Sequence, residues 1–373
     1  MLNYTIEGSP NSPVLIFSNS LGANLSMWDD LIPHLLPFFR VLRYDTRGHG
    51  ANSNVITKNL KIDDLGNDVI SLMDSLSIES AYFCGLSMGG LIGQWLGINQ
   101  PNRFKKIVLS NTGCKIGDDA RWNGRIETIT NNGMKAIVGD MLERWFTENF
   151  HEKYPEKIQK FSEMILANQP EGYATCCEAI RDADFTNKIK DIPVETLIIT
   201  GYNDPVTTVE NAHFLASKIP NSQLEILYAK HLSNTEQPEK YAEILIKFFI
   251  GDTAFAKGMH VRRSVLGNAH VDNANSKINE FNTDFQEFIT KYAWGEIWLR
   301  PGLNKHNRSL ITIAMLIALN RGAELKMHIK AAFNNGVTKD EIKEVIMHSA
   351  LYCGLPAANE AIHTAEEVFL TLK

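Results

Sequence analysis

Gly85-Leu86-Ser87-Met88-Gly89 sets a serine between two glycines in the spacing G-x-S-x-G. The apolar run "AYFC" precedes it and the helical run "GLIGQWLGINQ" follows it. The bare pattern also occurs as a plain Gly-rich turn, but a strand before and a helix after make it a nucleophile turn. Its glycines stand where side chains would meet neighbouring backbone, and the turn points the Ser87 hydroxyl into a cleft at a helix start. A serine of ordinary acidity is a poor nucleophile, so it needs a base and a group that orients the base. In the chain order that accompanies this turn the acid comes second and the histidine third. "LIITGYNDPVT" offers Asp204 just past a strand, and "LEILYAKHLSNTEQPE" offers His231 just past the next. His49, in "DTRGHG", is the rival base, yet it precedes the serine and lies in a Gly-rich turn. Donors for the developing oxyanion are expected from the backbone N–H of Met88 and from the N–H of Leu21 in "NSLGAN".

A second group of candidate residues lies in the tail, which carries His260, His270, His306, His328, His348 and His363 of the chain's 11 histidines. On the helical run "AELKMHIKAAF", His328 shares the apolar face of Leu325 and Ile329, with Glu324 four residues before it. A carboxylate so placed is expected to hold the imidazole tautomer and raise its pKa. Periodicity alone favours a satisfied core histidine over a catalytic one. A metal is not expected, because no third ligand stands at helical spacing.

These residues need elements to hold them. The chain has 373 residues, 44% hydrophobic and 21% charged, enough for two domains. Over residues 1–251, apolar runs such as "PVLIFSNSLG", "FRVLRYDTRGHG", "SAYFCGLSMGG", "VETLIIT" and "SQLEILY" alternate with helical patterns. Continuous apolar strands separated by helices imply a parallel-rich sheet covered on both faces. The stretch from about 121 to 184 interrupts this rhythm with helices and reads as a cap over the nucleophile. Arg121, Trp122 and Arg125 there could bind a carboxylate, although ordinary solvated arginines fit the sequence as well. Residues 252–373 carry only helix signals. "NRSLITIAMLIALNRG" reads as a buried core helix, Thr338 with Glu341 forms a capping box, and Pro356 opens the last helix.

Net charge is -6 with no basic stripe, so nucleic acid is not expected as a partner. No apolar run reaches the roughly 20 residues of a membrane span, and no signal peptide is visible. The five cysteines show no CxxC pair, which suits a reducing, cytoplasmic setting.

The motifs "SNSLGANLSMWD", "RYDTRGHG", "GLSMGG", "GYNDPVT" and "KHLSNTEQPE" resemble the α/β-hydrolase superfamily, and within it the 3-oxoadipate enol-lactonases. Asn19-Ser20 replaces the usual His-Gly of the oxyanion loop, a change that leaves the backbone role intact. From "WGEIWLRPGLNKHNRS" to "AIHTAEEVF" the tail resembles 4-carboxymuconolactone decarboxylase, of the alkylhydroperoxidase-like family. That family's paired cysteines are replaced here by Arg321 and Glu324, while His328 is kept, so proton transfer rather than thiol chemistry is implied.

The resemblance implies a bifunctional enzyme of protocatechuate catabolism, in the β-ketoadipate pathway, acting on carboxylated lactones without a cofactor. His328 would donate the proton with Glu324 orienting it, and Arg308, with Arg300, would bind carboxylate. It also implies a homo-oligomer formed through the helical domain. Three other readings stay open: a carboxylesterase with a non-catalytic helical oligomerisation domain, a redox protein, and a binding module without activity. The second lacks the cysteine pair, and the third leaves the Ser-Asp-His order unexplained.

Overall fold

The computed structural model describes residues 2–251 and 253–371. The expected domain boundary falls at Asp252, outside the described residues. The chain divides into two compact units, one built almost wholly from residues up to Phe249 and one almost wholly from Ile250 onward.

The first unit contains a seven-stranded sheet among its described residues, in the order β1-β3-β2-β4-β5-β6-β7. The strands are β1 Tyr4–Glu7, β2 Val14–Ser18, β3 Arg40–Tyr44, β4 Ala81–Leu86, β5 Phe104–Ser110, β6 Thr196–Gly201 and β7 Ser222–Leu227. The pairs β2–β4, β4–β5, β5–β6 and β6–β7 are parallel, and β1 pairs with β3 antiparallel. Sequence reading missed two of these strands. β1 is a short, half-buried edge strand without a continuous apolar run, and β5 opens on Phe-Lys-Lys, which hides the buried Ile107–Ser110 half.

The register puts Cys84 beside both Phe17 and Val108, at the centre of the sheet. Phe17, Phe83 and Val108 are fully buried. Truncating Phe83 to alanine there would cost about 3–5 kcal/mol. The helix Met88–Asn99 is buried from Met88 to Gly97 on every side, so its lack of an amphipathic pattern follows from its central position.

Between β5 and β6 the cap consists of helices Asp119–Asn132, Val138–Trp145, Glu148–Lys153, Pro155–Leu166 and Pro170–Asp182. Asp118 caps the first through the Arg121 amide at 2.8 Å, and prolines open the last two. Trp145, Phe146, Phe150 and Phe161 form the apolar centre of the cap, with Phe146 and Phe150 stacked at 4.9 Å.

The second unit is all helical in its described residues. Its longer helices are Ala254–Leu266, Lys305–Ala318, Gly322–Ala332, Lys339–Cys353 and Leu355–Thr371. A π-helical stretch, Ile289–Ile297, extends the helix Thr283–Phe288. Ile313, Ile317, Leu325, Ile329, Ile342 and Ile346 anchor the core. The capping box forms, with the Glu341 amide donating to Thr338 Oγ1 at 3.2 Å and the Thr338 amide to Glu341 Oε2 at 2.8 Å.

One expectation is corrected. Lys305–Ala318 is not buried all round: Ser309, Ile313 and Ile317 face inward, while Ile311, Met315 and the following Leu319 are exposed. The apolar count of the run hid a second apolar face that this unit does not cover.

Candidate active sites

The backbone at Ser87 has φ 58°, the left-handed region that a non-glycine residue adopts at a cost of about 1 kcal/mol or more. Its neighbours make that turn possible. A Cβ on Gly85 would lie 2.0 Å from the Gly89 carbonyl oxygen, and one on Gly89 would lie 2.2 Å from the Ser18 oxygen. Ser87 thus sits where β4 meets the helix Met88–Asn99, fixed by its own amide bonding the Ser110 carbonyl at 2.9 Å.

His231 and Asp204 arrive from the loops after β7 and β6. His231 Nδ1 lies 2.8 Å from Asp204 Oδ2, and both residues are buried. Asp204 Oδ2 also accepts from Asn111 Nδ2 at 3.0 Å and from Thr207 Oγ1 at 2.8 Å. Its Oδ1 accepts the amides of Val206 and Thr207. Burial pushes the carboxyl up, but the His231 imidazole and these hydrogen bonds outweigh it and hold Asp204 below the ordinary carboxylate range. Asn111 is a residue that sequence reasoning missed. It follows β5, sits at φ 42°, and accepts from Ser233 Oγ at 2.6 Å while it donates to Asp204. Its signal was "SNTG" after a strand that also went unseen.

The loop expected to offer an oxyanion donor is held from several sides. Asn19 donates to the Tyr44 carbonyl at 2.8 Å and accepts from Trp28 Nε1 at 2.8 Å, so the residue in the usual histidine position serves as a brace. The amides flanking the expected donors are committed, Ser20 to Met27 Sδ, Gly22 to His49 Nε2 and Gly89 to the Asn19 carbonyl. Leu21 itself lines the cleft, and Met88 is the first helical residue, whose N–H has no intrahelical acceptor. His49, the rival base, is fully buried and accepts a backbone hydrogen bond at 2.8 Å, so it is engaged in the fold.

Ser20, Leu21, Ser87 and His231 share one cleft of about 430 Å³, a volume that includes the solvent at its mouth. Met141, Trp145, Ile180 and Val206 give it apolar walls. Arg121, Trp122 and Arg125 line it too, and with them Arg144, which the sequence did not single out. Trp122 is pinned by its indole N–H to the Ile116 carbonyl at 2.6 Å. The Arg121 guanidinium lies below its ordinary range, first through burial and then through Arg144 and Arg125, with Asp118 and Asp204 acting the other way. Arg144 pairs with Asp140 at 3.0 Å; among the described residues no carboxylate closes an ion pair on Arg121 or Arg125. An apolar cleft lined by Ser87 and His231 and by three arginines suits an ester that carries a carboxylate.

In the second unit His328 is half-buried on Gly322–Ala332, one turn from the exposed Glu324. The expected rise in its pKa is overturned. Burial pushes it down to about 4, His270 adds to the fall, and the opposing effect of Glu324 is smaller. Glu324 is too exposed to offset the desolvation. Arg300 and Arg308 are joined to each other, with Arg308 Nη2 donating to the Arg300 carbonyl at 2.8 Å. Among the described residues no group of three or more His, Cys, Asp or Glu side chains could hold a metal, and no helix is long and apolar enough to cross a membrane.

Residues 13–238 match the family described as alpha/beta hydrolase fold, and residues 283–367 match the Carboxymuconolactone decarboxylase family. The chain is 46% identical over 240 residues to 3-oxoadipate enol-lactonase 2 of Acinetobacter baylyi, covering 64% of this chain and 90% of that protein. It is 58% identical over 118 residues to 4-carboxymuconolactone decarboxylase of the same organism, covering 32% of this chain and 88% of that protein. Among solved structures it is similar to the enol-lactonase from Burkholderia xenovorans LB400. The TM-score is 0.65 at 38% identity, over 66% of this chain and 95% of that one.

Proposed function

We propose two consecutive reactions for a chain that belongs to the alpha/beta hydrolase fold family in its first unit and to the carboxymuconolactone decarboxylase family in its second. The protein is a bifunctional enzyme of the β-ketoadipate pathway: it decarboxylates 4-carboxymuconolactone and hydrolyses the resulting 3-oxoadipate enol-lactone. One observation carries this reading. Close likeness to an enol-lactonase and to a decarboxylase meets in one chain, and the decarboxylase product is the ester that the lactonase opens. We assign the lactonase to residues 1–251, with its cap at about 121–184, and the decarboxylase to 252–373.

Decarboxylation breaks the bond from the leaving carboxylate to the ring carbon. The electron pair passes through the ring alkene onto the lactone carbonyl oxygen, so the substrate is its own electron sink. Protonation of the dienolate at a ring carbon yields the enol-lactone. His328 is our proton donor, with Glu324 beside it. Burial leaves the resting imidazole neutral, and the charge of a bound dicarboxylate favours the imidazolium, so substrate binding loads the donor.

Hydrolysis then uses Ser87 as nucleophile, His231 as base and Asp204 as its orienting acid. The Leu21 and Met88 amides stabilise the oxyanion, and Arg121, Arg125 and Arg144 bind the substrate carboxylate. Trp122 shapes the cap wall beside them. The enol leaves more readily than an alkoxide, and water releases 3-oxoadipate from the acyl-enzyme.

The exposed apolar side chains of the helical unit support self-association through it. Ile311, Met315 and Leu319 recur at helical spacing, and Met347, Leu351, Tyr352 and Leu355 add a second exposed set. All five cysteines are free, which suits the cytoplasm.

The test feeds the purified protein 4-carboxymuconolactone and follows CO2 and 3-oxoadipate. Ser87→Ala should stop at the enol-lactone with CO2 still released, and His328→Ala should release no CO2 but still open enol-lactone. A well-folded His328→Ala protein with normal CO2 release would remove His328 as donor. Ester hydrolysis without any CO2 from the wild type would leave an esterase with a non-catalytic helical domain.

A further inference from the structure

Arg262 is the most deeply buried arginine of the helical unit, 6% exposed on the helix Ala254–Leu266. The reason lies one turn earlier. A Cβ on Gly258 would sit 1.9 Å from the Thr290 carbonyl oxygen, so this helix and the π-helical stretch touch backbone to backbone. Arg262, four residues on, is thereby turned into the same contact.

Its partners there are neutral. Nη1 donates to Thr290 Oγ1 at 3.3 Å, Nη2 donates to Gln286 Oε1 at 3.1 Å, and Nε has no partner. Two of five N–H donors are used. Among the described residues no carboxylate pairs with it. The adjacent Arg263 shows what an ordinary arginine does here, reaching Asp272 at 2.7 Å. A buried guanidinium without a counter-ion is costly.

The surroundings of Arg262 are cationic as well. His270, exposed on the next helix, is held below its ordinary pKa by partial burial and then by Arg262, Lys330 and Lys277. His270 in turn depresses His328. Arg262 therefore acts on His270 and His270 on His328, while Glu324 is the acid that acts on His328. Arg308 also has an unpartnered Nε, but its Nη2 is committed to the Arg300 carbonyl.

We propose that Arg262, with His270 at its surface side, forms an anion site that binds a carboxylate of the decarboxylase substrate. This rests on the decarboxylase reading above and moves the principal carboxylate anchor from Arg300 and Arg308 to Arg262. The guanidinium offers Nε–H together with an unspent Nη–H, which suits a bidentate carboxylate. The buried charge then finds its counter-ion in the substrate. His270 and His328 would be drawn toward their protonated forms by the same anion.

The experiment uses the full chain and succinate as a non-reactive dicarboxylate probe, read by the imidazole NMR signals of His270 and His328. Decarboxylation kinetics are measured in parallel. In the wild type, succinate should shift both histidines and inhibit CO2 release competitively. Arg262→Gln should weaken succinate binding and raise KM for 4-carboxymuconolactone by about tenfold or more, the scale of one charge-assisted pair, and Arg262→Lys should fall between. Should Arg262→Gln fail to fold, His270→Gln replaces an exposed residue and should still weaken the probe severalfold. Unchanged succinate binding and KM in folded Arg262→Gln, or in His270→Gln where the former does not fold, overturns the site. Succinate binding that needs Arg262 in a protein that releases no CO2 keeps the anion site and overturns the decarboxylase assignment instead.

Discussion

His49 Nε2 accepts the Gly22 amide at 2.8 Å, which makes the rival base a strut for the loop that carries Leu21. Because Nε2 is the acceptor, the ring must be neutral with its proton on Nδ1. Burial depresses His49 from its ordinary 6.5 to about 4. The unfolded chain therefore takes up this proton before the folded one. The resulting stability is fully present above about pH 6.5 and is lost as pH falls toward about 4, on the order of 3 kcal/mol in all. Urea unfolding between pH 7.5 and 4 should show this loss. His49→Gln, whose side-chain oxygen can still accept from Gly22, should flatten it. An equally steep profile in His49→Gln would mean that other groups drive the acid transition.

Asp204→Asn should leave the fold intact and lower kcat for enol-lactone opening by roughly ten-thousandfold, because the amide can donate to His231 Nδ1 and so favour the wrong tautomer. Asn111→Ala acts at one remove. It removes one of the donors that hold Asp204, and should lower kcat about tenfold, the effect of one hydrogen bond to a charged group. Steady-state hydrolysis at pH 7 separates the two variants. Equal losses would mean that Asn111 does more than orient the acid.

The candidate triad was legible because each member follows a run that reads as a strand, buried in β4 and β6 and half-exposed in β7. "AYFC", "LIIT" and "LEIL" announce β4, β6 and β7, and Ser87, Asp204 and His231 come just after them. Asn111 shares that placement, yet β5 opens on Phe-Lys-Lys, so neither strand nor residue stood out. Arg144 and Arg262 were hidden for another reason. Whether an arginine is solvated or turned inward depends on backbone contacts such as that of Gly258, which no local pattern records. The charge state of His328 likewise depends on burial by other helices, and this outweighed the one neighbour that the helix period could supply.

Arg144 reaches the cleft from the helix Val138–Trp145, while its Asp140 partner lies on the exposed side of that helix. Surface pairs of this kind are worth little, about 0–1 kcal/mol, so the guanidinium is available to a substrate carboxylate. Arg144→Gln should raise KM for the enol-lactone about tenfold and leave the hydrolysis of p-nitrophenyl acetate, which has no carboxylate, near wild type. Parallel losses on both esters would point to cap geometry rather than charge recognition.

Ile311, Met315 and Leu319 lie four residues apart along one helical face, each at least 40% exposed, opposite the face that buries Ile313 and Ile317. A helix with two apolar faces in a small unit buries only one of them within the monomer, and the other lowers its free energy by meeting a second surface. A second copy of the chain always presents a matching surface, and closed symmetry then repeats the contact without leaving an open end. Met315→Glu should therefore lower the mass seen by sedimentation velocity at micromolar concentration. The thermal transition should survive, since Met315 contributes nothing to the monomer core. Leu351→Glu tests the exposed set on Lys339–Cys353 in the same way. If both variants sediment like the wild type, these faces do not join copies of the chain.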